Sequence, residues 1–199
     1  MTLRDTVKRL PYPIQQSIRY VYGLIPPRIR YGRVFWETYN FLQESQWWSK
    51  ERLEDYQMQQ LNKLLKHAYE NVPYYRRVFD ERGLKPEDIH DFDDLKKLPC
   101  LDKDTFRLHV RDMVAKNMDP KKLPMTHTSG TTGKPLQFYE DISTGQKETA
   151  FIYHQWSRVG YMPGDARVEL RGAVNRRKPI YYDPIFKILR LSPLIDSKE

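Results

Sequence analysis

The chain has 199 residues, enough for one ordinary domain, and its 39% hydrophobic and 30% charged content excludes a disordered tail or a fibrous repeat. Its net charge of +8 is concentrated in residues 1–35, where Arg4, Lys8, Arg9, Arg19, Arg28, Arg30 and Arg33 stand against Asp5 alone and give +6, leaving +2 for the rest. The single Cys100 excludes an intramolecular disulfide, and there is neither a membrane-length apolar run nor a secretory h-region, so a cytoplasmic location is expected.

Residues 1–32 are broken by Pro11, Pro13, Pro26 and Pro27 and have room for one short helix, roughly Ile14 to Tyr22, followed by a turn. Tyr12, Tyr20, Tyr22, Ile25, Tyr31, Phe35 and Trp36 are interleaved with the cations. The ordinary reading is an arm packed on its own domain with solvated arginines. A second reading is peripheral docking on the inner membrane, whose anionic surface attracts each cation by about 1 kcal/mol. Nucleic acid is not expected as a partner, because no recognised nucleic-acid motif accompanies the charge.

Residues 33–45 read as a second helix. Ser49 is placed to cap a long helix from Lys50 to Asn71, in which Leu53, Tyr56, Leu61, Leu64, Leu65, Ala68 and Tyr69 recur at spacings of three and four and form one buried stripe. His67 lies beside that stripe and reads as a packed histidine, since no partner cluster is evident. Pro73 forces Val72 out of the α region, ends this helix and starts another to about Arg82, stopped by Gly83. Tyr74 and Tyr75 read as packing residues rather than a substrate platform. The acidic stretch from Pro86 to Asp94 should hold loops and a small helix, and Asp102 should cap a helix from Lys103 to Val114. Cys100 has no motif around it and reads as structural rather than nucleophilic.

Residues 126–135 carry two glycines, five hydroxyl side chains and one lysine, and the loop they form joins two extended stretches, Leu123–Thr128 and Leu136–Tyr139. Such a loop suits a phosphate chain. Gly130 and Gly133 let backbone N–H groups approach an anion closely, the hydroxyls of Thr128, Ser129, Thr131 and Thr132 add neutral donors, and Lys134 adds a point charge. It is not a Walker loop: Thr128 stands where the first glycine is required and Pro135 where the Mg²⁺-binding hydroxyl is required. It is also longer than an ordinary hairpin turn and lacks Asn-Gly or Asp-Gly. Beyond it, Asp141 or Ser143 can cap a helix to about Val159, ended by Gly160, with Ile152, Tyr153, Trp156 and Val159 on one face. His154 reads as structural, and the helix could alternatively back a substrate pocket. Pro163-Gly164-Asp165 is a turn and Arg167 to Gly172 alternates as a strand.

Thr128-Ser129-Gly130-Thr131-Thr132-Gly133-Lys134-Pro135 resembles the phosphate-binding signature of adenylate-forming enzymes. Leu64 to Arg76, with its Val72-Pro73-Tyr74-Tyr75, and Asp94 to Pro99 followed by Asp102-Lys103, are similar to the N-terminal part of phenylacetate–coenzyme A ligases. Tyr56-Gln57 and the basic, aromatic N-terminus look like the branch of that family linked to capsular polysaccharide synthesis. The resemblance runs from about residue 40 to residue 172. It implies an α/β fold: a helical part over residues 36–120, after a basic arm at 1–35, then the start of an adenylate-forming domain over 121–199 in the order strand, phosphate loop, strand, helix, strand. It also implies ATP held by residues 128–134, Mg²⁺ on its phosphates, a small carboxylic acid as substrate and coenzyme A as acyl acceptor. The family's adenine site, ribose-binding aspartate and adenylation lysine have no counterpart before Glu199. The resemblance therefore implies a truncated, N-terminal portion of a ligase, inactive alone and with its catalytic residue unknown, for which a second chain could supply the missing half. The competing reading is a non-catalytic accessory protein docked on an anionic membrane surface. An incomplete domain should also expose apolar faces of the 142–159 helix and of the sheet edge and be poorly soluble.

Overall fold

The structure, a computed structural model, describes residues 10–128, 135–141, 143–170 and 180–192. In chain order these form α1 (Tyr12–Gly23), α2 (Pro27–Arg30), α3 (Gly32–Ser45), α4 (Lys50–Asn71), α5 (Pro73–Glu81), α6 (Lys103–His109), β1 (Met125–His127), β2 (Gln137–Tyr139), α7 (Thr144–Ser157), β3 (Arg167–Leu170), β4 (Ile180–Asp183) and β5 (Ile188–Leu191). The chain is thus mixed α and β with small sheets, and it divides into two compact units, residues 43–145 and residues 1–42 with 146–199.

Residues 43–145 are built on a helical hairpin. The Ser49 hydroxyl accepts the Arg52 N–H at 3.3 Å and opens α4. Extended Val72 separates it from α5, which has Pro73 in its first turn. Gly83, at φ +64, turns the chain away after α5. Leu65, Phe79 and Ile89 are the buried centre, with Met58, Leu61 and Tyr69 packed around them. Leu64, expected in the buried stripe, is 61% exposed instead. It sits about 100° around the axis from Leu65 and so falls off the face shared by Leu61, Leu65 and Ala68.

Asp102 caps α6 as expected, accepting from the N–H groups of Asp104 and Thr105 at 2.9 and 2.7 Å. The helix stops at His109, not Val114. Tertiary bonds draw off the backbone that a longer helix would use: Tyr74 N–H donates to the Asp112 carbonyl at 3.0 Å and Lys116 N–H to the Asn71 carbonyl at 2.8 Å. The short helix expected between Pro86 and Asp94 is replaced by two 3₁₀ turns, Pro86–Asp88 and Asp93–Lys97.

The other unit centres on aromatic rings. Tyr31, Phe35 and Tyr39 meet Ala150 and Tyr153 of α7, and Phe35 is wholly buried. Phe35 and Tyr39, one turn apart, stack at 5.9 Å between centroids. The rings near the end of the basic arm, Tyr31 and Phe35, therefore belong to the core, while α1 has no buried residue. Among its described residues before Tyr31 the arm forms two helices where one was expected, since Pro26 and Pro27 restart the chain as α2. Gly32 at φ +81 makes the corner into α3. On α7, Tyr153 is buried, but Ile152 and Val159 are exposed, so the expected four-residue apolar face is only partly covered.

The three-stranded sheet has the order β3-β5-β4, with β3 parallel and β4 antiparallel to β5. Sequence reading finds β3 but not the β4–β5 hairpin, whose turn at residues 184–187 uses Lys187 at φ 53 in place of a glycine signal. Pairing of Val168 with Leu189 and of Leu189 with Tyr182 puts these three on one face, and Leu170, Leu191 and Ile180 lie on the same face one step along. Arg167, Glu169, Arg190 and Asp183 alternate onto the opposite face.

Candidate functional site

The candidate phosphate loop hangs from the antiparallel pair β1–β2, in which Met125, Thr126 and His127 face Tyr139, Phe138 and Gln137. The two expected strands are therefore present and joined by the loop. Side chains extend the ladder at both ends. Thr128 N–H donates to the Leu136 carbonyl at 2.9 Å, and Leu136 N–H donates back to Thr128 Oγ1 at 3.0 Å. At the far end Glu140 N–H donates to the Pro124 carbonyl at 3.0 Å, and the Thr126 hydroxyl to Glu140 Oε2 at 2.9 Å.

Thr128 stands exposed at the neck of the loop. Its oxygen accepts from Leu136, so its hydroxyl hydrogen stays available to donate to an anion. Ser129, Gly130, Thr131, Thr132, Gly133 and Lys134 lie outside the described residues. Among the described residues no three His, Cys, Asp or Glu side chains form a metal-ligating group.

Beside β2 lies a cavity of about 380 Å³, lined by Leu136, Phe138 and Glu140 on one side and by His67, Phe106 and Met113 on another. It falls within the range of small-molecule sites, and sequence reading did not anticipate it because it joins residues far apart in the chain. His67, read as a packing residue, is half-buried on its rim, where Asn71 Nδ2 donates to its carbonyl at 3.1 Å. Tyr74 and Tyr75 make an edge contact at 5.3 Å, in keeping with packing. Cys100 is exposed, so the structural role expected of it is not that of a buried residue.

In the other unit α7 does back a cavity, of about 690 Å³, lined by Tyr153, Trp156, Tyr161, Arg167 and Glu169 among others. Its polar wall is a connected network. The Tyr31 and Tyr153 hydroxyls meet at 2.6 Å, and Arg167 Nη1 donates to Tyr153 at 2.9 Å and Tyr161 at 3.3 Å. Glu169 bridges Arg167 at 2.6 Å and Arg190 at 3.0 Å, and Asp183 joins Arg190 at 3.4 Å to Arg19 at 2.9 Å. Burial, then the bond to Tyr31, pushes the Tyr153 phenol up to about 12. Burial opposes the charge on Arg167, but its bonds to Tyr161 and Glu169 outweigh it and hold the guanidinium above its ordinary value.

No family model matches the chain. It is 44% identical over 88 residues to phenylacetate-coenzyme A ligase of Escherichia coli (strain K12), a match covering 44% of this chain and 20% of that ligase. It is 39% identical over 91 residues to the phenylacetate-coenzyme A ligase of Aromatoleum evansii, again covering 44% of this chain and 20% of the ligase. Protein CapK of Staphylococcus aureus is 22% identical over 176 residues, covering 86% of this chain and 37% of CapK. The matched stretch thus spans one fifth of the ligases' length. Over 44% of its length the chain is thus similar to phenylacetate-coenzyme A ligases, and along 86% of its length it is similar, at lower identity, to CapK.

Proposed function

We propose that this chain supplies the ATP-phosphate loop of an adenylate-forming acid–thiol ligase, with Thr128, Ser129, Gly130, Thr131, Thr132, Gly133 and Lys134 around the β- and γ-phosphates. The observation that carries this reading is the neck of the loop. In a chain related to ligases, a glycine- and hydroxyl-rich segment is clasped between Thr128 and Leu136 with a hydroxyl hydrogen left to donate. Two strands fix the ends of the loop, Thr128 and Leu136, in place of the strand-to-helix junction of a Walker loop.

In this scheme an oxygen of a small carboxylic acid attacks the α-phosphorus, the bond from that phosphorus to the bridging oxygen breaks, and pyrophosphate leaves with the electron pair. Donors of the loop and the Lys134 ammonium stabilise charge on the departing group. Mg²⁺ bound with the nucleotide would offset phosphate charge, a role that suits an ion that keeps few protein ligands. The coenzyme A thiolate then attacks the acyl carbonyl and AMP departs. In this scheme the residues of this chain hold the nucleotide, and no residue of the chain is assigned the adenylation step. Similarity to CapK supports a place for the product in capsular polysaccharide synthesis.

Two measurements test the proposal. Calorimetric titration of the chain with Mg·ATP should give binding that a Gly130→Ala/Lys134→Ala double variant abolishes. In the complete ligase, Lys134→Ala should slow ATP-dependent pyrophosphate release by about a hundredfold. Unchanged pyrophosphate release in that variant would sink the assignment of the loop.

A further inference from the structure

We propose that the α1–α2 corner seats this protein on an anionic lipid surface, independently of the ligase reading. The starting point is an inversion of the usual packing. Ile14, Ile18 and Val21 recur at spacings of four and three and so share one face of α1, the pattern of a helix that buries an apolar stripe. In this structure α1 has no buried residue, and the three are 47%, 39% and 67% exposed. Leu24, at 82%, and Ile29, at 70%, continue the apolar surface past the corner.

The helix is not loose. Its polar edge is held by the Arg19–Asp183 ion pair at 2.9 Å. Arg30 Nη1 donates to the Gly23 carbonyl at 2.8 Å, and a Cβ at Gly23 would overlap the Pro184 carbonyl oxygen. The fold therefore grips one side of α1 and turns the apolar side outward.

Charge selects the occupant. From residue 6 to residue 36 there is no acidic side chain, while Lys8, Arg9, Arg19, Arg28, Arg30 and Arg33 all fall in that span and Arg28 is exposed. A second copy of the same surface would bring like charges together. An anionic bilayer satisfies both features: the acyl boundary takes Ile18, Val21, Leu24 and Ile29, and the headgroups take the exposed Arg28 and Arg33. Tyr12, Tyr20 and Tyr22, all exposed, have the amphipathic rings that favour the interface. At 12 residues α1 is about 18 Å long, which suits lying in the interface rather than crossing it.

Vesicle flotation of the purified chain tests this. The chain should float with mixed phosphatidylcholine–phosphatidylglycerol vesicles at low salt, stay down with phosphatidylcholine alone, and be released by high salt. An Ile18→Asp/Val21→Asp variant, changed only at exposed positions, should lose about tenfold in vesicle partitioning while keeping its circular dichroism and melt. No flotation of the unaltered chain with anionic vesicles overturns the proposal, as does equal flotation of the variant. A dimer in lipid-free solution that the same variant abolishes would make a second copy the occupant and overturn it as well.

Discussion

At Tyr153 and His154 adjacent residues of one helix are buried for different ends. Tyr153 directs its hydroxyl to Tyr31 and Arg167. His154 is only 7% exposed, and its Nε2 is buried without a hydrogen-bond partner. Burial, and secondarily the nearby Arg158, holds the imidazole below its ordinary value of 6.5. The unfolded chain therefore takes up this proton near 6.5 as pH falls, while the folded chain resists it to lower pH. The resulting stability is present above 6.5 and is lost as pH falls through the folded value. The melting temperature should thus decline below that pH, and His154→Leu should flatten the decline. Equal slopes for the two proteins would show that His154 does not carry it. The structural role read for His154 from the sequence was accessible from its place on a helix, but the unpartnered nitrogen was not, because it depends on what packs over the ring.

Among the elements, α4 and α6 begin with caps visible in the sequence, Ser49 and Asp102. The same device carries different weight in each. Helix α4 has 22 residues and a buried face, whereas α6 has seven and no buried residue. Each cap replaced by alanine should cost about 1 kcal/mol. Asp102→Ala should raise amide exchange throughout 103–109, while Ser49→Ala should affect only the first turn of α4. Uniform protection of α6 in Asp102→Ala would show that tertiary contacts, not the cap, hold it. The early end of α6 and the β4–β5 hairpin were not legible for a related reason. Both are fixed by partners distant in sequence: Asn71 and Tyr74 for the one, β3 for the other. The strands flanking the candidate loop were legible because they are neighbours in sequence, and the glycines at 130 and 133 mark a loop between them.

For the whole molecule, the decisive feature is a sheet face left largely exposed. Val168, Leu170, Ile180 and Tyr182 are 60%, 73%, 59% and 42% exposed on the side opposite the Arg167–Glu169–Arg190–Asp183 network. Phe151 and Val159 of the α7 segment are exposed too, as the sequence led one to expect of this helix. Apolar area of this kind associates. Light scattering should show mass rising with protein concentration, and Val168→Lys with Leu170→Lys should suppress the rise. A monomer at every concentration would show that the face is tolerated in water. No helix among the described residues is long and apolar enough to cross a membrane.

The sequence by itself determined the local elements: where helices start and stop at Ser49, Pro73, Gly83 and Asp102, the two strands around residues 128–135, and the concentration of cations in the first 35 residues. These are effects of backbone dihedral preference and near-neighbour hydrogen bonds, which act within a few residues. It also carried the resemblance to the ligase family, in residue types at fixed spacing. Only the tertiary structure decided which faces are covered. It turned Leu64 and the stripe of α1 outward, drew Tyr31 and Phe35 into a core with Tyr153, and set an ion-pair network on one side of a sheet whose other side leaves Val168, Leu170 and Ile180 exposed. Burial is a property of what lies opposite a side chain, and residues that meet across a hundred positions leave no periodic trace in the chain that joins them.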